Sequence, residues 1–284
     1  KFLMTQIKIK SFAKINLALN VTGKDSSLHK IESIIAFVSL YDEIDIKKIK
    51  SKSHKISFTG EFAQNIRKNN TVSKLLQILE SKNLLQNRKF RIKIKKRIPS
   101  KAGLGGGSMN AASILNYFVK RNIIKSNKKE IINISNEIGS DVILGLNRKN
   151  SILNSKKKIK YFANREVLHT LIVKPNFGCS TKEIYSKVRK FNKPKLNNPS
   201  IKMFNYEFLK KMSNSLEPIA FSKYPKLKSL KFFLQNFSNP LFVRMTGSGS
   251  ALVAYFHSKQ RCDYAKKQFK KKFKNYWCMT SKTI

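Results

Sequence analysis

Acidic residues are scarce: 15 Asp and Glu stand against 59 Lys and Arg in 284 residues, a formal net charge of +44. A balance that basic, taken alone, points to nucleic acid or another polyanion as a partner. The distribution argues against it. Basic residues are spread over almost the whole chain, without one stripe or tail, in a sequence that is also rich in Asn, Ile, Phe and Ser. A solvated, lysine-rich surface produced by a global compositional bias accounts for the charge, and nucleic acid is not the expected partner. Any phosphorylated small molecule still feels the field, so its association should be fast and salt-sensitive.

Cysteine is sparse as well. Cys179, Cys262 and Cys278 are odd in number and widely separated. That excludes a disulfide framework and the spacing of a zinc site, and it fits a reducing cytoplasm. No apolar run reaches the roughly eighteen residues of a membrane-spanning helix, so no membrane partner is expected. The start, Lys1-Phe2-Leu3-Met4, lacks the apolar core and small-residue cleavage site of a secretory signal. There are no internal repeats and no long low-complexity segment. The 41 % of hydrophobic residues suffices for one large core or two smaller ones.

Strands and helices are legible in the periodicity. Ile7 to Phe12 alternate apolar and polar, and a second run puts Ile15, Leu17, Leu19 and Val21 on one face and Lys14, Asn16, Ala18 and Asn20 on the other. Phe90, Ile92 and Ile94 alternate with Arg91, Lys93 and Lys95. Val72, Leu75, Leu76 and Leu79 recur at helical spacing with Thr71 as a candidate N-cap. Ala111 to Val119 form an amphipathic helix, and Ile131, Ile134 and Ile138 mark another. The polar stretch around 149–160 places a domain boundary, giving domains 1–155 and 156–284. The second half has a strand over Leu168–Lys174, a loop over Pro175–Thr181, helices near Phe204–Met212 and Lys226–Phe237, a glycine turn into a strand over Arg244–Phe256, and a last helix over Cys262–Lys274. Asn192–Ser200 reads as a surface loop. Strands interrupted by helices without regular alternation predict an α+β architecture in two halves.

The most informative segment is Pro99-Ser100-Lys101-Ala102-Gly103-Leu104-Gly105-Gly106-Gly107-Ser108-Met109-Asn110, between a strand and a helix. Glycines let the backbone approach an anion and adopt positive φ, and a helix starting near Ser108 adds unpaired N–H groups and the positive end of its dipole. Together they make a phosphate cradle. No Lys-Ser/Thr follows the glycines, so this is not a Walker A loop. A dinucleotide fingerprint fails at its third glycine and lacks the acidic ribose ligand about twenty residues on. A purely structural glycine turn is the remaining alternative.

Three further segments accompany the loop in order: Ser11-Phe12-Ala13-Lys14-Ile15-Asn16-Leu17, Gly139-Ser140-Asp141-Val142 and Arg244-Met245-Thr246-Gly247-Ser248-Gly249-Ser250-Ala251. The set resembles the motifs of GHMP kinases over essentially the whole chain, most nearly the diphosphocytidyl-methylerythritol branch. The resemblance implies a two-domain GHMP kinase fold. Its N-terminal half would be ribosomal-S5-domain-2-like and its C-terminal half a ferredoxin-like α/β sandwich. It implies ATP-dependent phosphorylation of the 2-hydroxyl of 4-diphosphocytidyl-2-C-methyl-D-erythritol, a cytidine diphosphate-linked polyol on a route to isoprenoid precursors. The cofactors are then ATP and Mg²⁺, and the protein is a monomer or homodimer.

By the same resemblance Asp141 is the general base and Lys14 offsets charge on the transferring group. Pro99, Gly103, Leu104, Gly105, Gly106, Gly107, Ser108 and Met109 bind ATP, with Ser108 near the metal. Asn16, His29, Thr181, Gly247, Ser248 and Gly249 face the acceptor and the phosphates. Each has a plainer counterpart: Lys14 as one lysine among many, Asp141 as an N-cap, His29 as a loop histidine, Gly247–Gly249 as a tight turn. The sequence also departs from the family. Where the family has Asp-Gly-Tyr-His, with the tyrosine stacking on cytosine, this chain has Asp25-Ser26-Ser27-Leu28-His29. Leu28 turns stacking into an apolar contact, for which Tyr185 is a candidate compensator. Ser151–Ile159 also lacks the family's glycine-containing acidic pattern. Two other functions fit parts of this pattern: a GHMP-type kinase acting on homoserine, mevalonate or a sugar, and a basic nucleic-acid-binding protein on the same fold.

Overall fold

The computed structural model describes residues 7–26, 28–64, 66–163 and 166–284. Lys1–Met4, which carried the expectation about a secretory signal, and Ser27 lie outside the described residues. The chain forms two compact units: residues up to Ala13, Leu40–Pro99 and Gly105–Arg148 in the first, and Lys14–Ser39, Ser100–Leu104 and Lys149–Ile284 in the second. Two long strands, β1 (Ile7–Lys24) and β2 (His29–Ile49), contribute to both.

In the first unit the C-terminal half of β2 pairs antiparallel with β4 (Lys89–Lys95), from Glu43 opposite Lys95 to Ile49 opposite Lys89. The strand β3 (Lys55–Thr59) runs parallel to β4. Parallel neighbours need a crossover, and α1 (Thr71–Ser81) supplies it. Phe90, Ile92 and Ile94 are buried while Lys93 and Lys95 are exposed, as their alternation predicts. Onto this apolar face pack Val72, Leu75 and Leu79 of α1, Leu115 and Phe118 of α2 (Gly106–Lys120), and Ile134 of α3 (Lys128–Ile138). The N-cap of α1 is Asn70, not Thr71. Asn70 accepts from the Val72 and Ser73 N–H groups, and its own N–H donates to the Ser73 hydroxyl, closing a capping box. Thr71 is instead the first helical residue, and its hydroxyl donates to the Gly107 carbonyl at 2.7 Å.

In the second unit the N-terminal half of β2 pairs with β5 (Asn150–Leu153), which turns through Ser155–Lys158 into β6 (Ile159–Phe162). A separate antiparallel sheet has the order β10-β7-β9-β8, built from β7 (His169–Lys174), β8 (Phe242–Met245), β9 (Leu252–Phe256) and β10 (Trp277–Lys282). The helices α5 (Thr181–Ser186), α6 (Tyr206–Lys211), α7 (Glu217–Lys223) and α8 (Pro225–Phe237) lie between β7 and β8 in the chain, and α9 (Lys259–Lys272) joins β9 to β10. This is the ferredoxin-like β-α-β-β-α-β order expected of the second half. Its core joins Leu171, Val173, Leu230, Ala254 and Phe269 with Leu19 and Val21 of β1.

Both faces of β1 are buried over its middle. Ile15, Leu17, Leu19 and Val21 are buried, but so are Lys14, Asn16, Ala18 and Asn20. The opposite face is not solvated: its polar groups are satisfied by a hydrogen-bond web described below. The loop at Asn192–Ser200 is only partly superficial, since Leu196 is fully buried.

The last element of the first unit, α4 (Val142–Leu146), seats on α2 through a glycine. A Cβ at Gly145 would stand 2.6 Å from the Ala112 Cβ and 3.1 Å from the Met109 Sδ. Gly145→Ala should therefore cost about 1–3 kcal/mol of stability through overpacking. Adding Ala112→Gly should recover most of it, read as the midpoint of urea unfolding. An unchanged midpoint in the single variant would mean that α4 does not depend on this close approach.

Candidate active site

The residues singled out in the sequence fall into two groups, one in each unit. In the second unit, Lys14, Asn16, Gly103 and Thr246 to Ser248 come together. The Lys14 ammonium donates to the Asn16 Oδ1 at 2.8 Å, and the Asn16 amide donates to the Ser33 hydroxyl at 2.8 Å. Thr246, fully buried, fixes the backbone beneath them. Its Oγ1 accepts from the Asn16 N–H at 3.0 Å and donates to the Gly103 carbonyl at 3.1 Å.

Two glycine segments meet backbone to backbone here. Gly103 has φ +75°, and a Cβ on it would lie 1.9 Å from the Thr246 carbonyl oxygen, so no other residue fits. The Lys14 N–H donates to the Leu104 carbonyl, and the Ser250 and Ala251 N–H groups donate to the Lys101 and Ala102 carbonyls. The 246–249 turn is held from behind. The Asn214 amide donates to the Met245 and Gly247 carbonyls at 2.7 and 2.8 Å, and the Glu217 carboxylate accepts from the Met245 N–H at 2.7 Å. Thr181, the first residue of α5, shares a hydrogen bond of 2.8 Å with Ser248.

In the first unit, α2 begins at Gly106, slightly before the predicted start. Gly105, its N-cap at φ +69°, offers no side chain to its first N–H groups. Open N–H groups at a helix start, with the helix dipole, favour an anion. Lys96 lies beside this helix start: its ammonium would stand 3.2 Å from a Cβ at Gly106. Lys96 is ion-paired with Asp42, whose carboxylate also accepts from the Arg97 and Ile98 N–H groups at 2.7 and 2.9 Å and from the Asn110 amide at 3.0 Å. Pro99, Leu104 and Met109 are buried, so their side chains are not open to a ligand. Asp141 stands at the N-cap position of α4, and its side chain makes no capping bond there.

His29 sits in a cluster of rings in the second unit. Its imidazole is 5.2 Å from the Tyr185 ring and 6.4 Å from the Phe191 ring. Partial burial, with Lys24 adding to it, holds its pKa below the ordinary 6.5, so it is neutral at pH 7. The cysteines are not nucleophiles. All three are unpaired and buried, and burial pushes the Cys179 thiol up to about 11 and Cys262 to about 12. Among the described residues no three His, Cys, Asp or Glu side chains form a metal cluster, and no helix is long and apolar enough to cross a membrane.

Sequence reasoning missed Lys96, Asp42, Glu217, Asn214 and the Thr246 hydroxyl. Thr246 lay inside a motif already singled out, and its position before the glycines was the one available signal. The others act across long sequence separations and leave no local pattern.

The family model described as "GHMP kinases N terminal domain" matches residues 70–148. The chain is 57 % identical over 99 % of its length, and 100 % of the relative's, to the 4-diphosphocytidyl-2-C-methyl-D-erythritol kinase of Pelagibacter ubique. The chain belongs to the 4-diphosphocytidyl-2-C-methyl-D-erythritol kinase family. It is therefore an ATP-dependent small-molecule kinase. The same-named protein of Caldicellulosiruptor bescii is 31 % identical over 89 % of this chain and 90 % of its own length. A crystal structure of 4-(cytidine 5'-diphospho)-2C-methyl-D-erythritol kinase superposes with a TM-score of 0.77, covering 97 % of this chain and 99 % of that one at 23 % identity. Homoserine kinase from Cytophaga hutchinsonii superposes at 0.71, covering 100 % and 96 % at 15 % identity. These two likenesses show the α+β GHMP kinase fold.

Within a kinase of this family the Thr246 hydroxyl links the Lys14 strand to the glycine loop. Thr246→Val leaves the buried Asn16 N–H without an acceptor, a loss of about 1–3 kcal/mol. It should lower kcat about tenfold, whereas Thr246→Ser should keep both stability and kcat near wild type. Equal activity of the Val and Ser variants would remove the hydroxyl from the account.

Proposed function

We propose that this protein transfers the γ-phosphoryl group of ATP to the 2-hydroxyl of 4-diphosphocytidyl-2-C-methyl-D-erythritol, in the cytoplasm, on a route to isoprenoid precursors. The observation that carries this reading is the 57 % identity to the Pelagibacter ubique kinase across 99 % of the chain. The unpaired, buried cysteines support a reducing compartment.

In this reading the Asp141 carboxylate takes the proton of the acceptor hydroxyl as its oxygen attacks the γ-phosphorus. The bond from that phosphorus to the bridging oxygen breaks, and ADP leaves. Lys14, held by Asn16, offsets negative charge on the phosphoryl group in flight. By the resemblance the first N–H groups of α2 and the Gly103–Gly107 backbone bind the donor's phosphates, and Gly247, Ser248 and Gly249, with Thr181, bind substrate. Mg²⁺ would supply charge neutralisation on the donor's phosphates. The residues present fit a cation carried mainly by the nucleotide, with the Ser108 hydroxyl as the protein's contribution, because no acidic cluster stands among the described residues. Neutral His29 can both donate to and accept from the edge of a cytosine.

The test is ADP release from Mg²⁺-ATP across a panel of acceptors, with Asp141→Asn alongside. We expect turnover with the cytidylyl polyol and a loss of about a hundredfold or more in kcat in the variant. Turnover only with homoserine, mevalonate or a sugar would discard the acceptor while keeping the kinase. An unaffected variant would remove Asp141 as the base.

The pH dependence follows from His29. Its lowered pKa keeps the proton off until the pH falls below 6.5. KM for the cytidylyl acceptor should thus be flat from about pH 8 down to 6.5 and rise below it. A KM that improves on acidification would mean that the imidazolium is the binding form.

A further inference from the structure

Leu28 and Phe191 are 66 % and 47 % exposed, among the most open of the large apolar side chains. One adjoins His29 in sequence and the other adjoins it in space. Leu28 occupies the position at which the resemblance calls for an aromatic face on cytosine, and it has none to offer. Phe191 does, with its ring 6.4 Å from the His29 ring on a cluster that includes Tyr185.

Phe191 is not on a loose tether. The next residue, Asn192, donates its N–H to the Val21 carbonyl at 2.9 Å and its amide to the Asn20 Oδ1 at 2.7 Å. The Lys195 and Leu196 N–H groups donate to the fully buried Glu32 carboxylate at 2.7 and 2.9 Å. The Asn20 amide donates to Glu32 at 2.8 Å and to the Lys193 carbonyl at 3.2 Å. Val188 on one side and Leu196 on the other are buried. The segment is pinned at both ends, with its aromatic residue turned to water. In the free protein that ring forgoes the burial that would stabilise it. Burial against a planar ligand recovers it.

We propose that Phe191 is a substrate-stacking residue. It supplies, from a pinned loop, the aromatic face that Leu28 lacks, so that the cytosine of the acceptor is gripped by Phe191 and Tyr185 at His29. The assignment rests on the proposed cytidylyl acceptor and names what selects it. Stacking on a base is sequence-tolerant, so Phe191 contributes affinity for the base and His29 its identity.

The experiment compares the wild type with Phe191→Ala, Phe191→Tyr and Phe191→Ala/Leu28→Tyr, using steady-state kinetics in both substrates and calorimetric titration with CDP. Phe191→Ala should raise KM for the cytidylyl acceptor about tenfold and weaken CDP by a similar factor. Its kcat and its KM for ATP should not move. Phe191→Tyr should behave as wild type, and Leu28→Tyr should recover most of the loss in the Ala background. Phe232→Ala, which removes a ring 69 % exposed on α8, is the control and should change nothing. An acceptor KM within about twofold of wild type in Phe191→Ala overturns the assignment. So does an equal rise in KM for ATP, which would mark a structural role. A wild type that turns over no cytidylyl acceptor is the failure of the proposed function and takes the assignment with it. Wild-type turnover with an indifferent Phe191→Ala is the failure of the assignment alone.

Discussion

A carboxylate buried in protein must be met by donors, because an uncompensated buried charge costs several kcal/mol. In a chain with only 15 acidic residues, three are spent this way, and each one pins a segment that leads to the site. Asp42 collects the N–H groups of Arg97 and Ile98, at the entry to the glycine loop. Glu217 takes the N–H of Met245, one residue before Thr246, and is ion-paired with Lys231. Glu32 takes those of Lys195 and Leu196, beyond Phe191. None of these segments is helix or sheet where the carboxylate meets it, except the end of β8. The carboxylates supply there the backbone partners that a ladder would supply elsewhere.

This division of labour explains which features were readable in advance. The glycine loop, the Lys14–Asn16 strand, Asp141 and the 246–249 turn are contiguous motifs, and it is their ordered set that carries the family resemblance. The ferredoxin-like order of the second half came from the family resemblance; periodicity gave β7, α8 and α9 but not the last strand, β10. What pins the motifs is not contiguous. Glu32 reaches residues about a hundred and sixty positions away, and nothing near it in sequence predicts that. Lys96 is one of 59 basic residues, and only its burial against Asp42 sets it apart. On β1 the alternation separates the two faces but does not show that both are buried. Alternation identifies an apolar face, but it cannot tell a solvated polar face from one whose polar groups are all paired inside. Thr71 lost the N-cap to Asn70 because two capping residues stood side by side, and Ser73 completed a capping box only with the earlier one.

The fields and the rings do different work. A net charge of +44 attracts ATP, the acceptor and every other phosphorylated metabolite alike, and it raises encounter rates without preferring any of them. Selectivity among anions must then come from contacts that do not depend on charge. A place in the second unit that presents such contacts together is the cluster of His29, Tyr185 and Phe191, where a neutral imidazole adjoins two aromatic faces. A protonated histidine there would add one more positive charge to a surface that has an excess of them, and it would lose the acceptor needed to read a base edge. Burial and the neighbouring Lys24 keep it neutral. Burial is the larger cause and Lys24 the smaller, so the wider basic surface adds little to the state of this histidine. On a surface this basic, stacking and hydrogen bonding are the contacts left to separate one phosphorylated metabolite from another.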